Sequence, residues 1–410
     1  MKRFLTIIGP GLLVAATGIG AGDLATAGFA GSYLGTTILW AAVVGALLKF
    51  VITEGLARWQ LATGTTLLEG VITRLGKPAG WVFMAYLLLW SFFVGSALMS
   101  ACGVTFHALL PVFEDAAHGK VAFGITASLA GAAMVLIGGY RLFARIMQVC
   151  IGLMFVTVII TAALQWPGTA QVVTGLLVPT IPDVDGGLAW TVALMGGIGG
   201  TVTVLCYGYW IREEGRHGKE HLRLCRLDLA AAYAVTALFG IAMVIIGSSV
   251  QIEGKGATLI VDLSNSLGET TGPAGKWIFL AGAAGAVFSS LLGVWQAVPY
   301  LFADTLNLLL SDSGTAGKPR LPLKKHGTAY RGYLAAIALV PMAGLFFSFR
   351  EIQKFYAIIG AWFIPMLVLV LLVLNGHAGW VGERFKNRPL TSAVLAAVLL
   401  FFSWIAWRSA

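Results

Sequence analysis

The sequence predicts an all-α, polytopic membrane protein of about eleven transmembrane helices, arranged as two inverted five-helix halves plus one further helix. Three observations carry this. Apolar residues make up 58% of the 410 residues and charged residues only 11%. A soluble domain carries about a quarter charged residues, so no water-facing surface fits this composition. Apolar runs of the ~20 residues that cross a bilayer recur from end to end. Finally, glycine clusters interrupt two of these runs at corresponding places in the two halves.

The spans read at about 4–33, 36–62, 80–110, 121–138, 143–165, 187–211, 224–250, 275–309, 329–348, 351–374 and 390–408. Together they form a single transporter domain, 1–410, with one repeat over about 4–165, a second over about 187–374, and the extra helix over about 390–408. The longest stretches outside the spans, about 166–186 and 251–274, fall on the same side and have room for short surface helices. MKRFLTIIGPGLLVAA has the basic start and apolar run of a signal peptide, but no cleavage site follows. It reads as a retained first helix. Cys102, Cys150, Cys206 and Cys225 lack paired metal-ligand spacing and read as packing residues.

Charge orients the bundle. With the N-terminus inside, 20 Lys and Arg residues fall on cytoplasmic links, among them Arg74, Arg141, Arg216, Lys324 and Arg384, against 6 on the other side. Orientation follows that excess, so the N-terminus is expected in the cytoplasm and the C-terminus outside a cell (inner) membrane. The net charge of +9 is accounted for in this way, and a nucleic-acid partner is not needed.

The first span contains Gly18, Gly20 and Gly22, followed by Asp23, and the sixth contains Gly196, Gly197, Gly199 and Gly200 before Thr201 and Thr203. Each glycine costs a helix about 1 kcal/mol relative to alanine, so both clusters are expected hinges. Glycine packing between helices is the competing reading for either alone. Paired interruptions in matching positions of inverted halves point to the central site of a secondary transporter. Asp23 is then the expected charged ligand, because a carboxylate within a span is functional by default. Backbone oxygens near Gly20 and Gly200 and the hydroxyls of Thr201 and Thr203 complete an oxygen-rich set suited to a hard cation. Structural pairing with Lys49, or capping of the restarted half-helix, is the bland alternative for Asp23. Lys49 on the second span is a candidate countercharge or coupling group. Glu54 is a second coupling candidate, although an i,i+4 ion pair with Arg58 explains it more simply. His217, Glu220 and His221 match an H-x-x-E-H zinc pattern, but a glycine breaks the segment and a third ligand is missing.

Gly9-Pro10-Gly11-Leu12-Leu13-Val14-Ala15, the broken segment and Leu24-Ala25-Thr26 resemble the first helix of the NRAMP divalent-metal transporters. Gly199-Gly200-Thr201-Val202 and Ser289-Ser290 extend the similarity. The resemblance implies a leucine-transporter-like fold with metal bound between broken helices one and six. It also shows departures. Where the family has Asp-Pro-Gly-Asn, this chain has Gly20-Ala21-Gly22-Asp23. Where the family has Met-Pro-His, it has Thr203, Val204 and Leu205. The third-helix acids of the proton route align with Leu89 and Phe92.

The expected function is therefore secondary-active, alternating-access transport of a divalent cation, Mg²⁺ or Mn²⁺/Fe²⁺ in preference to softer ions. The metal is cargo and no cofactor is expected; the lipid bilayer and the metal are the expected partners. Transport of an amino acid or other small organic solute on the same fold is the alternative. A membrane zinc enzyme built on His217, Glu220 and His221 is a distant third.

Overall fold

The computed structural model describes Gly11 and residues 21–137, 140–250, 256, 258–311 and 327–409. Among the described residues every regular element is helical. This is the bilayer's requirement, since a helix satisfies its own backbone polar groups without water.

Helix α1 (Ala27–Leu34) follows a single π-helical turn over Ala21–Thr26. One 3-10 turn, Gly35–Ile38, joins it to α2 (Leu39–Thr63). The short helix α3 (Leu67–Leu75) starts in a capping box, with Thr66 and Glu69 satisfying each other's backbone N–H groups. Next come α4 (Lys77–Leu109), α5 (Ala116–Ile137) and α6 (Tyr140–Leu164). After Pro167 and Gly168 the chain turns by 115° into α7 (Thr169–Leu177), a short helix in the stretch where one was expected.

The sixth expected span is two helices. α8 (Gly187–Gly197) ends, four residues lie outside any helix, and a 3-10 turn (Val202–Leu205) leads into α9 (Cys206–Glu213). The remainder is α10 (Leu222–Ser248), α11 (Leu259–Leu310), α12 (Thr328–Leu339) running into a 3-10 stretch to Phe346, α13 (Phe349–Leu374), the one-turn α14 (Ala378–Val381) and α15 (Pro389–Ser409). α11 bends at Gly272, whose φ of 78° is followed by Pro273. The bend separates the short helix expected within 251–274 from the span that follows.

Eight described helices are long and apolar enough to cross a membrane, or nine if the bent α6–α7 pair counts as one span. The expected eleven differ for local reasons. The start of the first span lies outside the described residues. The 3-10 turn fuses α1 with α2 into one piece, Asp23–Thr63. The apolar part of the last span, Pro389–Ile405, is short of the length a span needs.

The broken sixth span sits at the centre of the bundle. In its most apolar window 89% of residues are buried, against 28% for α5, which faces outward. α8 packs on α13 and α2, while α10 packs on α1 and α2. Contact between these helices is close. A Cβ added to Gly45 of α2 would lie 2.9 Å from the Met195 carbonyl oxygen and 3.0 Å from its Cα, both on α8. Exposed Val82, Leu88 and Leu89 on α4 face outward in the same way as the outer surface of α5.

Candidate functional site

The chain between α8 and α9 changes direction through Gly199 and Gly200, with φ of 73° and 82°. Those angles suit glycine and strain other residues. Gly196 has a different role: a Cβ there would come within 2.7 Å of the Ala357 carbonyl oxygen on α13, so close helix packing fixes it. Gly197 is the last residue of α8. Gly18 and Gly20, the expected hinge and ligand of the first span, lie outside the described residues. Gly22 falls in the π-helical turn.

A broken helix leaves carbonyl oxygens at its C-terminal end without partners, and the helix dipole makes that end negative. Here the Lys49 ammonium takes that position. It donates to the carbonyls of Gly196 at 3.0 Å and Ile198 at 3.1 Å, and also to that of Gly200. The Gly200 carbonyl, expected as a ligand to the cation, is therefore already bonded to an ammonium. Lys49 is 2% exposed, and no carboxylate among the described residues lies within 4 Å of its Nζ.

Asp23 meets the same segment from the other side. Its Oδ1 accepts a hydrogen bond from the Gly199 N–H at 3.1 Å, whereas Oδ2 is buried with no hydrogen-bond partner. The structural alternatives for Asp23 take a different form from the sequence reading. Asp23 holds the sixth-helix break rather than capping α1, and Lys49 acts on it through electrostatics, not direct contact. A fully buried carboxylate oxygen with no donor is costly, and it leaves one strong acceptor available at the break.

Two phenols and three threonines lie in the same buried region. Tyr233 on α10 and Tyr356 on α13 both feel the Asp23 charge. Thr53 bridges the Tyr233 hydroxyl at 2.8 Å and the Lys49 carbonyl at 2.7 Å. Thr201 Oγ1 lies beside the Tyr356 hydroxyl but is buried without a well-formed hydrogen bond. Thr203 is buried in the 3-10 turn. Sequence reasoning missed Thr53, Tyr233 and Tyr356. The available signal was a tyrosine within an apolar span, since a buried phenol needs a polar partner.

Farther along the bundle, Glu54 is held in ion pairs with Arg58 at 2.8 Å and Arg226 at 2.7 Å, and Arg58 also donates to the Phe385 carbonyl and to Asn387. This arrangement ties α2 to α10 and to the link before α15. As a coupling group, Glu54 would first have to leave two arginines. A second cluster was not anticipated. Asp228 Oδ2 accepts from the Gly11 N–H at 2.9 Å and the Tyr207 hydroxyl at 3.1 Å, and Arg216 lies at 3.5 Å.

The zinc constellation does not assemble. The His221 ring bonds to the backbone of His217 at an exposed turn, Glu220 is exposed, and no group of three or more His, Cys, Asp or Glu residues among those described is placed to hold a metal. Leu89 points outward, so the aligned position is not where a buried acid would sit. All of α4 lacks Asp and Glu, so the absence of third-helix acids does not depend on that alignment.

The comparisons agree with this architecture. A protein from Aeromonas hydrophila called divalent metal cation transporter MntH is 25% identical over 96% of this chain and 92% of its own. The solved manganese transporter of Eremococcus coleocola, in complex with an aromatic bis-isothiourea substituted compound, superposes with a TM-score of 0.72 at 18% identity, covering 98% of this chain and 86% of its own. MhsT in complex with L-phenylalanine gives a TM-score of 0.59 at 15% identity over 97% and 98% of the two chains. The shared fold is leucine-transporter-like, here with its sixth span broken between α8 and α9, in a multi-pass membrane protein that is not an enzyme. The family described as natural resistance-associated macrophage protein-like matches residues 11–409, and the chain belongs to this Nramp family.

Proposed function

We propose that this chain is a secondary-active transporter of divalent metal cations, working by alternating access, with Asp23 as its charged ligand. One observation carries the proposal: Asp23 offers a buried carboxylate oxygen without a partner at the break between α8 and α9. The site is one carboxylate among hydroxyl and carbonyl oxygens. That set holds a hard divalent ion loosely enough to release it, which transport requires. The names of the Aeromonas and Eremococcus proteins favour the same cargo class. With Thr203, Val204 and Leu205 after the break, no thioether is offered there, so Mg²⁺ or Mn²⁺/Fe²⁺ is favoured over Cd²⁺. The excess of Lys and Arg on one set of links supports a cytoplasmic N-terminus and an external C-terminus. Because α4 carries no acid, protons do not take a third-helix route.

Calorimetry of the purified protein with Mg²⁺, Mn²⁺, Ca²⁺ and Cd²⁺ tests the proposal. Binding of a hard ion by the wild type and its loss in Asp23→Asn is the expected result. The alternative cargo, an amino acid or other small organic solute, is supported by the match to a fold that holds L-phenylalanine. Solute binding that no metal displaces, in a protein that binds no metal, would favour it.

A further inference from the structure

Lys49 is buried in the bundle core, yet its ammonium faces three carbonyl oxygens and, among the described residues, no carboxylate within 4 Å. Gly196, Ile198 and Gly200 contribute those oxygens, all freed by the interruption after α8. Carbonyl oxygens converging at a helix C-terminus form a cation cradle, because their dipoles and the helix macrodipole point the same way. The chain fills this cradle with a charge of its own, carried on a neighbouring helix. Asp23 closes the other side, holding the Gly199 N–H that lies between the carbonyls Lys49 takes.

We infer that the Lys49 ammonium is a tethered cation that occupies the helix-six cradle when no metal is bound, and that an incoming divalent ion displaces it from those oxygens. The inference rests on the metal-transport proposal and assigns a coupling role within that site. An ammonium and a divalent ion cannot share neighbouring oxygens in a low-dielectric core without strong repulsion, so occupancy is exclusive. Two consequences follow. Lys49 weakens metal binding by competing with it. It also satisfies the cradle in the metal-free carrier, so that the empty protein can reorient and complete a transport cycle. Without Lys49, the carbonyls and Asp23 are left unsatisfied unless metal is present, and the carrier reorients only when loaded.

The test compares net uptake of Mn²⁺ into metal-free proteoliposomes with exchange of labelled Mn²⁺ into Mn²⁺-loaded ones, using the full chain. In Lys49→Met, Mn²⁺ affinity by calorimetry should rise about tenfold as the competing charge is lost. Exchange should persist while net uptake falls by about tenfold or more, because only the empty step is blocked. Added Mn²⁺ should raise the melting temperature of the variant more than that of the wild type. Lys49→Gln, which keeps amide donors for the carbonyls but no charge, guards against misfolding and should show the raised affinity with a smaller fall in net uptake than Lys49→Met. Unchanged affinity, or equal losses of exchange and net uptake in an active background, overturns the inference and leaves the metal-transport proposal standing. Failure of both variants to fold even in excess Mn²⁺ also overturns it, because Lys49 is then a structural clamp. A wild-type protein that moves no Mn²⁺, Mg²⁺ or Fe²⁺ in either assay defeats both.

Discussion

Replacing Asp23 with asparagine removes a charge and leaves the shape almost unchanged, so it separates ligand from scaffold. The Gly199 N–H keeps an acceptor at Oδ1, now neutral, and the exchange of a charged for a neutral hydrogen bond costs about 1 kcal/mol. Stranding a buried charge by removing its partner costs ~3–5 kcal/mol, but that cost does not apply to Lys49, whose ammonium is held by three carbonyls. Asp23→Asn should therefore fold, with a melting temperature lowered by only about 2 °C. Metal binding should respond far more, because the metal loses its full negative countercharge. A loss of about 3 kcal/mol or more corresponds to at least roughly a hundredfold weaker binding. Thermal unfolding without metal and calorimetry with Mn²⁺ and Mg²⁺ measure the two effects on one preparation. A folded Asp23→Asn protein with wild-type affinity would refute the ligand assignment. A variant that unfolds without metal would show that the Asp23 charge serves the scaffold.

Three further outcomes are expected. Gly45→Ala sets a methyl against the Met195 backbone at 2.9 Å, where only movement of α2 away from α8 can relieve it, so thermal unfolding should show a loss of about 1–3 kcal/mol; an unchanged midpoint would mean the two helices are not packed this closely. Thr203→Met brings a soft sulfur to the segment after the break and should shift calorimetric preference about tenfold toward Cd²⁺ over Mg²⁺; an unaltered ratio removes Thr203 from the ligand set. Reporter fusions in the 312–326 link should read as cytoplasmic and fusions after Ala410 as external, and termini on one side would overturn the orientation.

The spans were readable from the sequence because a bilayer imposes long apolar helices, and the interruption of the sixth was readable because glycines gather there. Asp23 stood out for a related reason, as a charge in an apolar run. Its partner did not, because the Gly199 N–H is a backbone group that every residue but proline carries. The same holds for Lys49. Its sequence position suggested a carboxylate partner, whereas it binds carbonyls that exist as free acceptors only because the helix stops. The Glu54–Arg58 pair was visible at i,i+4, but Arg226 comes from a helix 172 residues later. Asp228 was equally hidden, since nothing local to α10 announces Gly11 as a donor.

The Asp23–Gly199 hydrogen bond also bears on how the protein is made. Its two ends are 176 residues apart, and the acid is synthesised first. At ~5–20 residues per second, the first helix exists for roughly 10–35 s before its partner leaves the ribosome. During that interval a carboxylic acid is lodged in a nascent membrane helix with neither the sixth-helix amide nor Lys49's eventual anchorage in place. The insertion machinery must keep that helix near its aqueous channel, or the acid must cross as its neutral form, until the second half arrives. An N-terminal half expressed by itself would be expected to leave that helix poorly inserted and open to proteolysis.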